Sequence, residues 1–210
     1  EKIPNKAFDL KKNNEASVTS ETQKIKRQIK ELLVSRNIME IISWSFSNKK
    51  WEENVSGDMD NIEILNPISE DLSCLRQNLL GGLLNIVNKN NNKDRQNISI
   101  FEIGPVFTGI HPGEQKDCLT IVRSGRAIDK NWTANNRNYD VFDIKSDLVS
   151  LLRLLKIPLD KIKIKNENNI FFHPGKSCSV YFSELKIASF GEIHPNVSKS
   201  FKIKNTVIVL

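Results

Sequence analysis

The chain has 210 residues, 39% hydrophobic and 27% charged, with a formal net charge of +6; this is the make-up of a soluble globular protein with one large domain or two small ones. No apolar run approaches about 18 residues, which excludes a membrane-spanning helix. Cys74, Cys118 and Cys178 are dispersed and form no CxxC pair, which argues against a disulfide framework or thiolate zinc site and for reduced core thiols in a cytosolic protein.

EKIPNKAFDL, the opening stretch, carries neither an initiating Met nor a signal-peptide apolar core, so an excised part of a longer protein is expected. After this polar lead-in (residues 1–19), SETQKIKRQIKELLVSRN has a helix signature. Ser20 and Gln23 form a capping-box pair, Ile25, Ile29, Leu32 and Leu33 share one face, and Asn37 is a left-handed stop. IMEIISWSF is expected as a strand with both faces apolar and covered, and NKKWEENVSGDMDN as a polar loop. A second helix is predicted over SEDLSCLRQNLLGGLLNIVNKN, capped by Ser69 and burying Leu72, Leu75, Leu79, Leu83 and Val87. Gly81 and Gly82 inside it call for a local break or a close approach by another segment. ISIFEIGPVF and CLTIVRS read as antiparallel strands joined by the bend TGIHPGEQKD. DIKSDLVSLLRLLKI reads as a helix stopped by Pro158, and CSVYF, IASFGEI and NTVIVL as further strands. Helices among mostly antiparallel strands give an α+β domain.

Candidate chemistry is sparse. HPGKS (residues 173–177) lacks the upstream Gly of a phosphate-binding loop and precedes a strand, so it reads as a structural turn. His111, His173 and His194 each precede Pro in no metal-ligand spacing and are expected at turns or the surface. The cluster Lys24, Lys26, Arg27 and Lys30 is the solvated side of the first helix, and the net charge permits a nucleic-acid partner without demanding one.

Several ordered blocks, spread over essentially the whole chain, carry a more specific signal. RNIMEIISWSF, LNPISEDLSCLRQNLLGGLL, IFEIGPVF, YDVFDIKSDLVSLL and HPGKS…FGEIHP resemble the beta chain of bacterial phenylalanyl-tRNA synthetase, and EKIP looks like the end of that chain's preceding module. The resemblance implies a class II synthetase-like antiparallel sheet flanked by helices over residues 20–210. It also implies a cytoplasmic heterotetramer of two alpha and two beta chains that joins phenylalanine to its tRNA with ATP and Mg²⁺. Asn37, Gly81 and Ser146 depart from residues frequent in the family, without loss of a charged group.

In active class II members the strand similar to FEIGPVF continues Phe-Arg-x-Glu, and that Arg holds the α-phosphate, a task suited to a guanidinium fork. Here Phe107 matches, while Thr108 stands at the Arg position and Ile110 at the Glu position. The resemblance therefore implies a non-catalytic core, with no cofactor of its own, that supports the catalytic alpha chain. The helix bearing Ile25, Ile29, Leu32 and Leu33 is its expected face towards that subunit. An independently active ligase and a standalone basic nucleic-acid-binding module are the alternatives.

Overall fold

The computed structural model describes residues 19–56, 62–128, 132, 136–167 and 169–210; the lead-in up to residue 18 lies outside them. Helix α1 (Glu21–Ser35) starts with the anticipated reciprocal cap: Ser20 Oγ accepts from the Gln23 N–H at 3.2 Å and Gln23 Oε1 from the Ser20 N–H at 3.0 Å. It ends in a left-handed Asn37 (φ 58°), with the Asn37 N–H bonded to the Val34 carbonyl and the Ile38 N–H to that of Leu33. Leu33 and Ile38 pack in the same core cluster, which completes the apolar contact of this helix stop.

The expected single strand over IMEIISWSF is not formed. β1 (Met39–Glu40) joins the main sheet, β2 (Phe46–Ser47) joins a small second sheet, and the residues between follow neither. The reason lies in Glu102, whose Oε1 accepts the Ser43 N–H at 3.2 Å and so takes a donor that a ladder would need. Nor are both faces covered: Met39, Ile42 and Trp44 are 67%, 87% and 71% exposed.

α2 (Lys49–Val55) occupies half of the stretch read as a loop, with Asn48 Oδ1 capping Lys50 N and with Val55 buried; residues 57–61 of that stretch lie outside the described set. β3 (Ile62–Glu63) follows. The long helix predicted from Ser69 is instead a 3₁₀ turn (Glu70–Leu72), β4 (Cys74–Leu75) and a shorter α3 (Leu80–Asn91). Ser69 makes no capping bond; Asn78 Oδ1 accepts from the Leu80 and Gly81 amides instead. Leu79, Leu83 and Val87 are buried as read, whereas Leu72, in the 3₁₀ turn, and Leu75, in the strand between β2 and β3, are only half-buried. The glycine pair does mark close approaches: a Cβ at Gly81 would lie 3.3 Å from Trp51 Cβ, and one at Gly82 3.3 Å from Ser43 Oγ.

β5 (Ile98–Phe107) and β6 (Gln115–Ser124) form the expected antiparallel hairpin, in register from Ile98–Ser124 to Phe107–Gln115. α4 (Val141–Leu154) opens on a capping box between Asp140 and Asp143 and ends before Pro158, where Lys156 turns left-handed (φ 56°). β7 (Ile162–Lys165), β8 (Phe172–Phe182), β9 (Leu185–Ile193), α5 (Pro195–Ser200) and β10 (Val207–Val209) complete the chain. HPGKS is therefore not a turn: it lies within β8, where the pairing to β9 shifts register between Phe172 and Ser177. The main sheet runs β1-β5-β6-β10-β9-β8-β7, antiparallel except for the parallel β1–β5 edge.

Alternation along the strands builds two cores. On the front face Ile98, Ile100, Val106, Val122, Phe172, Ile193, Val207 and Val209 meet α2, α3 and α5. On the back face Phe101, Ile121, Val180, Phe190 and Ile208 meet α1 and α4. The result is an α+β domain with helices on both sides of its sheet, as expected.

Candidate functional site

Thr108 stands at the tip of the β5–β6 hairpin. Its N–H donates to the Glu114 carbonyl at 2.9 Å and its hydroxyl to the same oxygen at 3.2 Å. Glu114 also folds its carboxylate over the bend: Oε2 accepts the His111 N–H at 2.8 Å, and a Cβ on Gly109 would meet it at 2.0 Å. Thr108 thus closes a packed turn, and Ile110 projects into solvent at 77% exposure. Further along, a cavity of about 300 Å³ is lined mainly by Leu79, Leu80, Val106, Phe171 and Phe172, with a few neutral polar groups such as Gln77 and Asn78 and with Lys116 its single cation among the described residues. Such a wall offers little to a polyanionic nucleotide.

Sequence reasoning left Arg76 without a role and did not single out Glu102, yet they form a charged centre inside the front face. Arg76 Nη1 lies 2.6 Å from Glu102 Oε1, 3.0 Å from Ser43 Oγ and 3.4 Å from the Trp44 carbonyl; Nε donates to the Pro105 carbonyl at 2.8 Å. Both ions are buried. Gly104 makes room for the guanidinium, since a Cβ there would sit 2.3 Å from Nη2. The signal was present in the sequence: a glutamate between Phe101 and Ile103 in an otherwise apolar strand needs a cation. The clamp ties the segment between β1 and β2 to β4 and β5. It also borders a cavity of about 520 Å³ that includes Trp44, Phe46 and Trp51.

A second buried charge holds the back face. Asp147, fully buried on α4, accepts from Arg123 Nε at 2.7 Å and Nη2 at 3.0 Å, and from Arg36 Nε at 2.6 Å. Burial works against the Arg123 charge, but the bond and attraction of Asp147 outweigh it, so the guanidinium holds its proton more tightly than usual. Tyr139 lies against that guanidinium, 4.9 Å from ring centroid to Cζ.

The sites expected from the sequence are not gathered into one place. Leu33 is buried in the back core, Ile29 and Leu32 are half-buried against it, and Ile25 is exposed. Val34, Met39, Ile42 and Trp44 add further exposed apolar groups along α1, β1 and the following segment. His173 Nδ1 accepts the Gly175 N–H, His194 Nδ1 caps α5 at Asn196, and His111 lies in the hairpin bend. Among the described residues no group of three or more His, Cys, Asp or Glu side chains could hold a metal, and no helix is long and apolar enough to cross a membrane. All three cysteines are free thiols; burial, with Glu52 and Glu63 nearby, pushes Cys74 up to about 11.

The family model of the phenylalanyl tRNA synthetase beta chain CLM domain matches residues 9–210. The phenylalanine–tRNA ligase beta subunit of Ehrlichia canis (strain Jake) is 36% identical over 183 residues, covering 86% of this chain and 23% of that protein. Its counterpart from Buchnera aphidicola subsp. Acyrthosiphon pisum is 31% identical over 215 residues, covering 99% and 26%. The chain thus spans about a quarter of the length of these curated relatives. A pyrrolysyl tRNA synthetase, PylSc of Desulfitobacterium hafniense, superposes with a TM-score of 0.69 at 14% identity, over 90% of this chain and 64% of that one. That likeness establishes a class II synthetase fold. With that fold, and with the family model matched along nearly its whole length, the chain belongs to the phenylalanyl-tRNA synthetase beta chain CLM domain family.

Proposed function

We propose that this segment is a non-catalytic synthetase core whose work is assembly. It supports a catalytic alpha subunit in a cytoplasmic phenylalanine–tRNA ligase of two alpha and two beta chains, which charges tRNA with phenylalanine using ATP and Mg²⁺. The carrying observation is the hairpin tip. Where an active class II member would present a phosphate-binding guanidinium, the Thr108 hydroxyl is bonded to the Glu114 carbonyl and Ile110 offers no charge. The residues at the hairpin tip and in the cavity beside it do not fit a nucleotide, so ATP and Mg²⁺ are assigned to the alpha chain. Losing one such charged contact lowers a rate by roughly a hundredfold or more, and two positions are replaced here.

Assembly is assigned to the surface built from the outer side of α1, β1 and the segment to Trp44, where Ile25, Val34, Met39, Ile42 and Trp44 are exposed. Leu33 belongs to the domain's own core and serves the interface only by holding α1 in place. Burying such groups against a partner yields about 25 cal/mol per Å² before association costs. The test is co-purification with the alpha chain, light scattering, and aminoacylation with each chain omitted in turn. Val34→Asp with Trp44→Glu should prevent heterotetramer formation while the beta chain stays folded. An unchanged assembly, or phenylalanine-dependent ATP–pyrophosphate exchange by the beta chain alone, would overturn the reading.

A further inference from the structure

At the end of the sheet where β5 enters and β6 leaves, two polar clefts of about 800 and 380 Å³ adjoin, and Asn97 and Arg126 line both. The larger contains Arg36, Arg123 and Arg137; the smaller contains Lys204. The acids are fewer. Arg36 and Arg123 share Asp147, and Arg137 is held bidentate by Asp143 at 2.7 Å on both oxygens. Among the described residues Arg126 and Lys204 have no side-chain partner, so five cations stand against the paired Asp143 and Asp147, with Asp140 adding its field at Arg137.

Arg126 is also held at its backbone, unlike a cation on a free surface loop. Gly125 turns with φ +79°, and a Cβ there would lie 2.2 Å from the Gln96 carbonyl oxygen. The Arg126 N–H then donates to Asn97 Oδ1 at 2.9 Å, and Arg126 bridges to Asn138. Asn97, Asn138, Asn205, Thr206 and Ser99 add amides and hydroxyls along the same path. A held, uncompensated guanidinium among neutral hydrogen-bonding groups suits phosphate oxygens, and the side-by-side clefts suit more than one of them.

We infer that this groove, centred on Arg126 and Lys204, binds phosphate groups, arrayed along a nucleic-acid backbone or carried by a small free phosphate. It meets the surface assigned to assembly only at Met39, which lines the larger cleft, and it does not depend on that assignment.

The test uses the full-length protein with the chains that co-purify with it. Arg126→Gln with Lys204→Gln is compared with Arg153→Gln, an exposed arginine on α4 away from the groove. Melting curves verify that each variant is folded. For a nucleic-acid backbone, the slope of log affinity for an oligouridylate against log salt should fall by about 1 to 2 in the double variant, with affinity reduced about tenfold or more, and hold in the control. For a small anion, inorganic phosphate or pyrophosphate should shift the NMR signals of the Arg126 region in the parent protein but not in the double variant. Unchanged RNA binding together with no phosphate-dependent shift would overturn the inference, as would an equal loss in the control.

Discussion

Gly104 shows how one missing side chain sustains a buried ion pair. The Arg76 guanidinium reaches Glu102, Ser43 and the Pro105 carbonyl only by crossing the space that a Cβ at residue 104 would fill, 2.3 Å from Nη2. Gly104→Ala should displace the guanidinium and leave a buried carboxylate poorly paired, at about 2–4 kcal/mol of stability, somewhat less than outright removal of one ion. Gly175→Ala is the matched control: its new Cβ would meet only His173 ring atoms at 3.7 Å, an ordinary contact that predicts a change within about 0.5 kcal/mol. Urea unfolding of both variants measures the difference. Equal, small changes would mean that Arg76 repacks freely and that the clamp is not rigid.

At the scale of elements, α4 couples helix capping to pH. Its N-terminal box uses Asp140 and Asp143, and Asp143 Oδ2 also accepts the Asp140 N–H at 2.9 Å. The bond from Arg137 is the main reason that the Asp143 carboxyl titrates below its usual range; burial opposes it and the Asp140 N–H assists. A depressed folded value contributes stability above the unfolded pKa of about 3.9, lost as pH falls through the folded value. Because Arg137 is half exposed, solvent screening keeps the contribution to about 1 kcal/mol or less. Asp143→Asn retains an acceptor for the cap but no charge, so its stability should differ from the parent at pH 7 and converge with it as acidification carries Asp143 through its lowered folded value. Thermal melts across that range decide it; a constant offset would show that the cap geometry, not the charge, matters.

The same scale shows what the sequence made legible. α1, α4 and the β5–β6 hairpin were readable because their signals are local: a reciprocal cap and a left-handed Asn37 on α1, an apolar stripe stopped by Pro158 on α4, and alternation over ten residues on β5; the Asp140–Asp143 box that opens α4 was not read. The segment from Ser69 to Leu79 was misread because its leucine spacing also fits a helix, whereas its conformation is set from a distance. Arg76 N donates to the Ser45 carbonyl and the Phe107 N–H to the Arg76 carbonyl, contacts to chain about thirty residues away on either side that no local periodicity reports. α2 was missed because only Trp51 and Val55 mark its buried side. At the candidate site, the neutral Thr108 and Ile110 were legible by position, but the Glu114 fold over the bend was not.

For the whole molecule, the two edges of the main sheet differ in a way that bears on assembly. At one edge β7 reads Ile-Lys-Ile-Lys with Lys163 and Lys165 exposed, the charged pattern that discourages pairing with another chain. At the other edge β1 leads into exposed Ile42 and Trp44. There the Ile41 N–H is taken by the Phe101 carbonyl and the Ser43 N–H by Glu102, facing inward. The alternate amides of Ile42 and Trp44 have no hydrogen-bond partner among the described residues and are free to donate to a neighbour's carbonyls. An edge with apolar side chains and free amides, whose Glu40 is already paired with Lys30 of α1, is the one to cover. Hydrogen exchange on the assembled protein should therefore show the segment 39–46 and the outer side of α1 slowed at least tenfold relative to the beta chain alone, with 162–165 unchanged. Slowing at β7 instead, or at neither edge, would place the proposed subunit contact elsewhere and leave the apolar edge without a role in assembly.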